Sequence, residues 1–257
     1  AAQAVVARKK APRLATGAQC SAPYDCGFLA HCQSAEPQAE HHVRWLPRRS
    51  QALKAHIEEH GISELRDVPD DLLNPTQQRV KAATLSGQAF FDQPATAQAL
   101  AAHKLPGYFI DFETIQFGVP LWKGTRPYQQ LRFQFSVHRL GRTGRATHQA
   151  FLDLSGGNPS LAFAQSLVAA CGERGPVFVY NAAFETTRIR ELAERHPRLA
   201  IALRAINDRV VDLLPIARQH YYHPSQQGSW SIKAVLPALC PELHYDVLDG
   251  VQDGGAA

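Results

Sequence analysis

Two short apolar runs, each ending in acidic or amide groups, constrain the fold of this chain more than any other feature. One is Tyr108-Phe109-Ile110-Asp111-Phe112-Glu113-Thr114, and the other is Val177-Phe178-Val179-Tyr180-Asn181-Ala182-Ala183-Phe184-Glu185. Runs of this length, rich in aromatic and β-branched residues, read as buried strands. Asp111 and Glu113 are two apart, so a strand turns both to one face and Phe112 to the other. Neighbouring carboxylates repel unless a cation lies between them, and oxygen ligands suit Mg²⁺ or Mn²⁺. The same tripeptide also occurs where a strand simply enters a loop. Behind the second run, Thr186 to Arg195 has a helical pattern, which sets Glu185 in a first helical turn beside a neighbouring strand end.

The rest of the chain falls around these runs. Residues 20–34 form a cysteine-rich segment, 35–42 are polar, and a helical pattern runs from His42 to about Gly87, with Leu53, Ile57 and Leu65 among charged positions. Gly61-Ile62 followed by Glu64 to Pro69 is compatible with a phosphate-binding helix-hairpin-helix and with a plain packed helix–turn–helix. From Pro106 the pattern changes to strands, expected at 107–113, 131–139, 147–154 and 176–181, with a hairpin turn at Gly141 to Gly144. Helices are expected at 159–172 and 183–196. Three meandering strands, a crossover helix and a further strand predict an α/β fold: an RNase H-like mixed sheet with flanking helices, preceded by a small helical region and the cysteine-rich segment. The domains read as 1–34, 35–105 and 106–257.

A strand bearing Asp-x-Glu followed by a strand leading into Asn-x-x-Phe-acid resembles the first two motifs of the DEDD, or DnaQ-like, 3′–5′ exonucleases. Asp111 and Glu113 match the first motif, and Asn181 and Phe184 match the second. Glu185 stands where that family usually has Asp, its carboxylate about 1.5 Å farther out by one methylene. The resemblance implies that Asp111, Glu113 and Glu185 are catalytic and hold two Mg²⁺ or Mn²⁺ ions, with Asn181 orienting the site. The family's last carboxylate and its partner are expected beyond Ala257; Tyr245-x3-Asp249 has the spacing but the wrong place. Asp212, after Val210-Val211, is open to a structural N-cap role or a metal role.

A wider resemblance rests on Cys20-x5-Cys26-x5-Cys32, Gly61-Ile62, the Asp-Phe-Glu-Thr run, Pro127-Tyr128-Gln129-Gln130 with Phe133-Gln134-Phe135-Ser136, and Ser229-x-Ser231-Ile232-Lys233-x-Val235-Leu236-Pro237. It is similar to an uncharacterised bacterial family that pairs a RecB-like nuclease domain with a C-terminal domain of unknown function. This resemblance implies that the chain is a piece of a longer protein, with an upstream nuclease domain as partner. It also implies that Cys20, Cys26 and Cys32 ligate a 4Fe-4S cluster whose fourth ligand lies outside the chain. Zinc, with His31, His41 or His42 as a further ligand, and no metal at all remain alternatives. The chain contains no Met, in keeping with a piece.

A net charge of +4 permits a nucleic-acid partner, DNA or RNA, without demanding one. Arg126 lies in the loop after the first run with Trp122 and Tyr128, a pairing that suits backbone contact and base stacking but equally a loop packed on itself. Lys233 begins an expected helix, facing either a phosphate or solvent. No apolar run approaches the roughly 20 residues that span a bilayer, and no secretory leader is visible. The expectation is a cytoplasmic protein without a membrane partner. Cys171 and Cys240 read as buried hydrophobes. The functional expectation is a metal-dependent nucleic-acid phosphodiesterase, a 3′–5′ exonuclease module; the alternative is a non-catalytic RNase H-like module that grips nucleic acid or supports the upstream nuclease.

Overall fold

The computed structural model describes residues 16–22, 24–34 and 39–243, which divide into two compact units between Leu73 and Asn74. In the first unit a 3-10 turn at Ala18–Cys20 leads to helix α1, Leu29–Ser34. Helix α2, Gln51–Glu59, starts where the Ser50 hydroxyl accepts from the Leu53 N–H, one of the donors a helix start leaves unpaired. Gly61, at φ +60°, ends the helix region in the left-handed conformation that glycine adopts at little cost. Leu53 and Ile57, one turn apart, join Val43, Leu46, Leu65 and Val68 in a small core. The Glu64 carboxylate accepts from the Glu40 and His41 N–H groups, which holds its pKa below the ordinary value.

The second unit opens with helix α3, Pro75–Ser86. Asn74 and Gln77 form a reciprocal capping box, Pro75 occupies the first turn, and Gly87 at φ +69° closes the helix. Strand β1 (Phe90–Phe91) and helix α4 (Gln93–Ala101, capped by Asp92) follow. Then come strands β2 (Gly107–Ile115), β3 (Leu131–Leu140) and β4 (Ala146–Leu152), helix α5 (Ser160–Cys171), strand β5 (Val177–Val179) and helices α6 (Ala183–Arg195) and α7 (Ala200–Asn207). Strand β6 (Val210–Asp212), helix α8 (Leu213–His220), strand β7 (Tyr221–Tyr222) and helix α9 (Ile232–Leu239) complete the unit.

The main sheet has the order β4-β3-β2-β5-β6. β2 to β4 form an antiparallel meander, and β5 and β6 run parallel to β2. This is the RNase H-like order expected from the sequence, extended by β6, whose three residues the sequence reading left as the approach to Asp212. The expected helices and strands are found to within a few residues. The β3–β4 turn closes through Gly141 N–H to Arg145 O at 2.9 Å. The expected boundary at 105/106 and the boundary at Leu73/Asn74 differ for a physical reason. β1 pairs with β7, and Val80 and Ala83 of α3 share a core with Tyr221, Tyr222, Trp230 and Val235, so residues 74–105 fold with the sheet unit.

Alternation along β2 sets the site. Tyr108, Ile110 and Phe112 are buried with Phe163 of α5 and Ile189 and Leu192 of α6, while Phe109 and Asp111 look to the other face. There Phe109 stacks on Phe178 with ring centroids 4.9 Å apart. Cys171 is buried in the main core and its thiol is pushed up to about 12 by desolvation, in line with a hydrophobic role. No helix among the described residues is long and apolar enough to cross a membrane.

Candidate functional site

The chain departs from β2 toward β3 on one side, whereas β5 and β6 lie on the other. The carboxyl ends of β2 and β5 therefore flank a point where the topology diverges, the position at which open α/β sheets characteristically form crevices. β5 ends at Val179. Asn181 then takes φ +71°, a left-handed conformation that Asn tolerates better than most residues, and α6 begins two residues later. This reversal places Glu185 in the first turn of α6, within electrostatic reach of Asp111 and Asp212.

Glu185 is the unusual group. It is 5 % exposed, and its Oε2 has no hydrogen-bond partner. Desolvation, followed by the charges of Asp111 and Asp212, pushes its carboxyl pKa from the ordinary 4.5 up to about 7, against the pull of its own backbone N–H. The Asp111 pKa is also raised by desolvation, offset in part by the Phe112 N–H that its Oδ1 accepts at 3.1 Å. A buried acid with a free oxygen, beside the exposed Asp111, has the character of a site short of positive charge.

Asp212 is occupied differently. Its Oδ1 accepts from the Asn181 and Leu214 N–H groups, both at 2.9 Å, and its Oδ2 accepts from the Ala182 N–H at 3.0 Å. One side chain thus caps α8 and pins the left-handed turn that aims Glu185. The structural reading of Asp212 therefore holds, with a reach beyond its own helix. Next to it the Tyr180 hydroxyl donates to Trp230 O at 2.7 Å, and desolvation pushes its pKa up to about 12. This bond ties the end of β5 to the segment before α9.

Glu113 lies two residues beyond Asp111, roughly 6–7 Å along the strand, opposite Gln134 and beside an irregularity in the β2–β3 pairing. Among the described residues no three His, Cys, Asp or Glu side chains are gathered to hold a metal ion. Asp111 and Asp212 are the carboxylates whose charges reach Glu185. The cysteines are not gathered either. Cys20 ends the first 3-10 turn, Cys26 precedes α1 and Cys32 lies in it, all as free thiols and without a shared cluster geometry. Tyr245 and Asp249 lie outside the described residues.

The other expected contacts lie on the β2–β3 loop and on α9. Arg126 and Tyr128 are exposed on the loop after β2; Tyr128 sits at φ +56° and donates its N–H to Phe117 O at 2.8 Å. Arg188 of α6 donates to Gln130 Oε1 at 2.5 Å, and Arg195 Nη1 donates to Gly124 O at 3.3 Å, so this loop is anchored to α6 at two points. Glu191 pairs with Arg188 at 3.0 Å and with the buried Arg132, whose pKa falls to about 10 through desolvation. Lys233 is exposed in the first turn of α9. No spacing in the sequence points to Arg132, Arg188 and Glu191, because charge at the start of β3 and along α6 reads as surface until the helix is packed on the strand.

Residues 108–231, which contain this site, match the model of a domain of unknown function, DUF2779. No curated protein and no solved structure matches the chain.

Proposed function

We propose that residues 106–257 constitute a metal-dependent nucleic-acid phosphodiesterase module, a 3′–5′ exonuclease of the DnaQ-like kind, acting beside an upstream RecB-like nuclease domain. The observation that carries this reading is the buried, unpartnered Glu185 oxygen, just past the end of β5 and within electrostatic reach of Asp111 in the middle of β2. Mg²⁺ is commonly held by only one or two carboxylates, its remaining positions being filled by water and substrate phosphates. Asp111 and Glu185 fit that requirement, with Glu113 farther along the strand for a second ion. Such an ion supplies Lewis acidity and an activated water for in-line displacement at phosphorus.

The chain's own groups would divide the remaining work. Asp212 fixes the turn that aims Glu185. Arg126 and Tyr128, on the anchored loop, contact the backbone and stack on a base, and Lys233 adds a phosphate contact. Cys20, Cys26 and Cys32 would contribute three thiolates to a 4Fe-4S cluster in the longer protein. Incubation of the longer protein, its upstream nuclease domain disabled, with 5′-labelled single-stranded DNA and RNA and Mn²⁺ tests the reading. Shortening from the 3′ end that Asp111→Asn abolishes supports it, and cleavage unchanged by Asp111→Asn rejects it.

One observation favours a second reading, a non-catalytic nucleic-acid grip. Asp212, the other carboxylate whose charge reaches Glu185, already receives three backbone N–H groups and has little capacity left for a metal.

A further inference from the structure

At the opposite end of β2 from Ile115, the β3–β4 hairpin forms an open pocket of about 480 Å³ lined by Pro106, Arg139, Gly141, Arg142, Thr143, Arg145 and Thr147. Three arginines and two threonines line it, and no acidic residue is among its lining residues. None of the three arginines makes an ion pair with a carboxylate among the described residues. All three arginines are exposed, so the cluster presents its positive charge to a polyanion in solution. The arrangement is partly fixed beforehand. Arg142 Nε donates to Leu105 O at 3.1 Å, which holds its guanidinium against the start of β2. Arg139 and Thr147 are direct cross-strand partners, so the strand pairing itself sets the guanidinium beside the hydroxyl.

Guanidinium forks match phosphate oxygens in pairs, and threonine hydroxyls add neutral donors. We infer that this hairpin pocket is a second anion site, separate from the carboxylate crevice, which binds the phosphate backbone of single-stranded nucleic acid. The choice of nucleic acid as the anion rests on the proposed phosphodiesterase reading; the pocket's preference for phosphate does not. Arg139 pairs with Tyr108, three residues before Asp111, and shares Tyr108's face of the strand, so the pocket opens on the opposite face of the sheet from the Asp111 side chain. A strand held there is kept near the module, which raises the local concentration of a substrate that the acidic crevice alone would repel.

The test is fluorescence anisotropy of labelled single-stranded DNA with the whole chain, in EDTA, from 50 to 200 mM salt. The Glu185→Gln protein is run alongside it, so that neither metal nor hydrolysis contributes. Arg139→Gln/Arg142→Gln/Arg145→Gln should weaken binding at least tenfold at 50 mM salt and lower the log–log salt slope by about 2, at about 0.7 per lost contact on a single strand. Arg139→Gln/Arg145→Gln, which keeps the Arg142–Leu105 bond, should show an intermediate loss with an unchanged melting temperature. Equal binding and equal salt slope in parent and triple variant overturn the inference. So does protection of the pocket by inorganic phosphate alone, with no binding of the DNA. A Glu185→Gln protein that binds DNA as the parent does leaves the pocket standing whatever becomes of the metal site.

Discussion

Glu185→Gln should make the protein more stable at alkaline pH, and the size of the effect follows from the site. Burial and two neighbouring carboxylates move the Glu185 pKa from the ordinary 4.5 to about 7. A carboxyl whose folded pKa is raised binds its proton more tightly in the native state than in the unfolded one. Its contribution is therefore fully present below about pH 4.5 and is lost as pH rises through about 7. A shift of about 2.5 units corresponds to about 3 kcal/mol at 1.36 kcal/mol per unit. The native protein above pH 8 carries that amount as the cost of ionising an unpartnered buried acid. Gln keeps the shape and removes the charge. Urea unfolding of both proteins in EDTA, from pH 5 to pH 8, should show the Gln variant's relative stability growing by about 2 kcal/mol across that window. A difference that stays flat with pH would refute the claim that Glu185 is buried without a counter-charge. Growth in the opposite direction would mean that a cationic partner holds the carboxylate ionised.

Three further outcomes follow from the same geometry. Asp212→Asn should cost about 2–3 kcal/mol in urea unfolding, because one of two oxygens that accept three backbone N–H groups is replaced by a donor. Glu191→Ala should cost about 3–5 kcal/mol, since it leaves the buried Arg132 and the largely buried Arg188 uncompensated; a loss below 1 kcal/mol would show that the pair is reached by water. Gly175→Ala should destabilise more than an ordinary loop glycine, because its φ is +98° and a Cβ there would lie 2.1 Å from Pro106 O.

Much of the sheet was legible because its signals are local. Tyr108, Ile110 and Phe112 alternate with Phe109 and Asp111, and the Gly141–Gly144 turn separates two strands of matching length, so the meander could be read before any contact was known. β6 was not legible as a strand, because three residues between two helices carry no period; only pairing with β5 makes Val210–Asp212 one. The site was legible in part for the same reason. Asp111 and Glu185 follow from strand ends, but the place of Asp212 beside them depends on the β5–β6 register, Val179 opposite Asp212. The charged network of Arg132, Arg188 and Glu191 and the arginine pocket at the hairpin arise from contacts between segments, some distant in the chain, and no spacing encodes these. The cysteine segment shows the opposite case: an evident spacing whose thiols are not gathered among the described residues.

The central claim is that Asp111 and Glu185 are paired to receive a divalent cation. Titration of the whole chain with Mn²⁺ at pH 8, read by isothermal calorimetry or by loss of the free-ion electron paramagnetic resonance signal, tests it most directly. Saturable binding by the parent is expected, weakened at least tenfold, about 1.4 kcal/mol, by Asp111→Asn and by Glu185→Gln alike, with Arg139→Gln unaffected. A parent protein that binds no Mn²⁺, or variants that bind it as the parent does, would contradict the account.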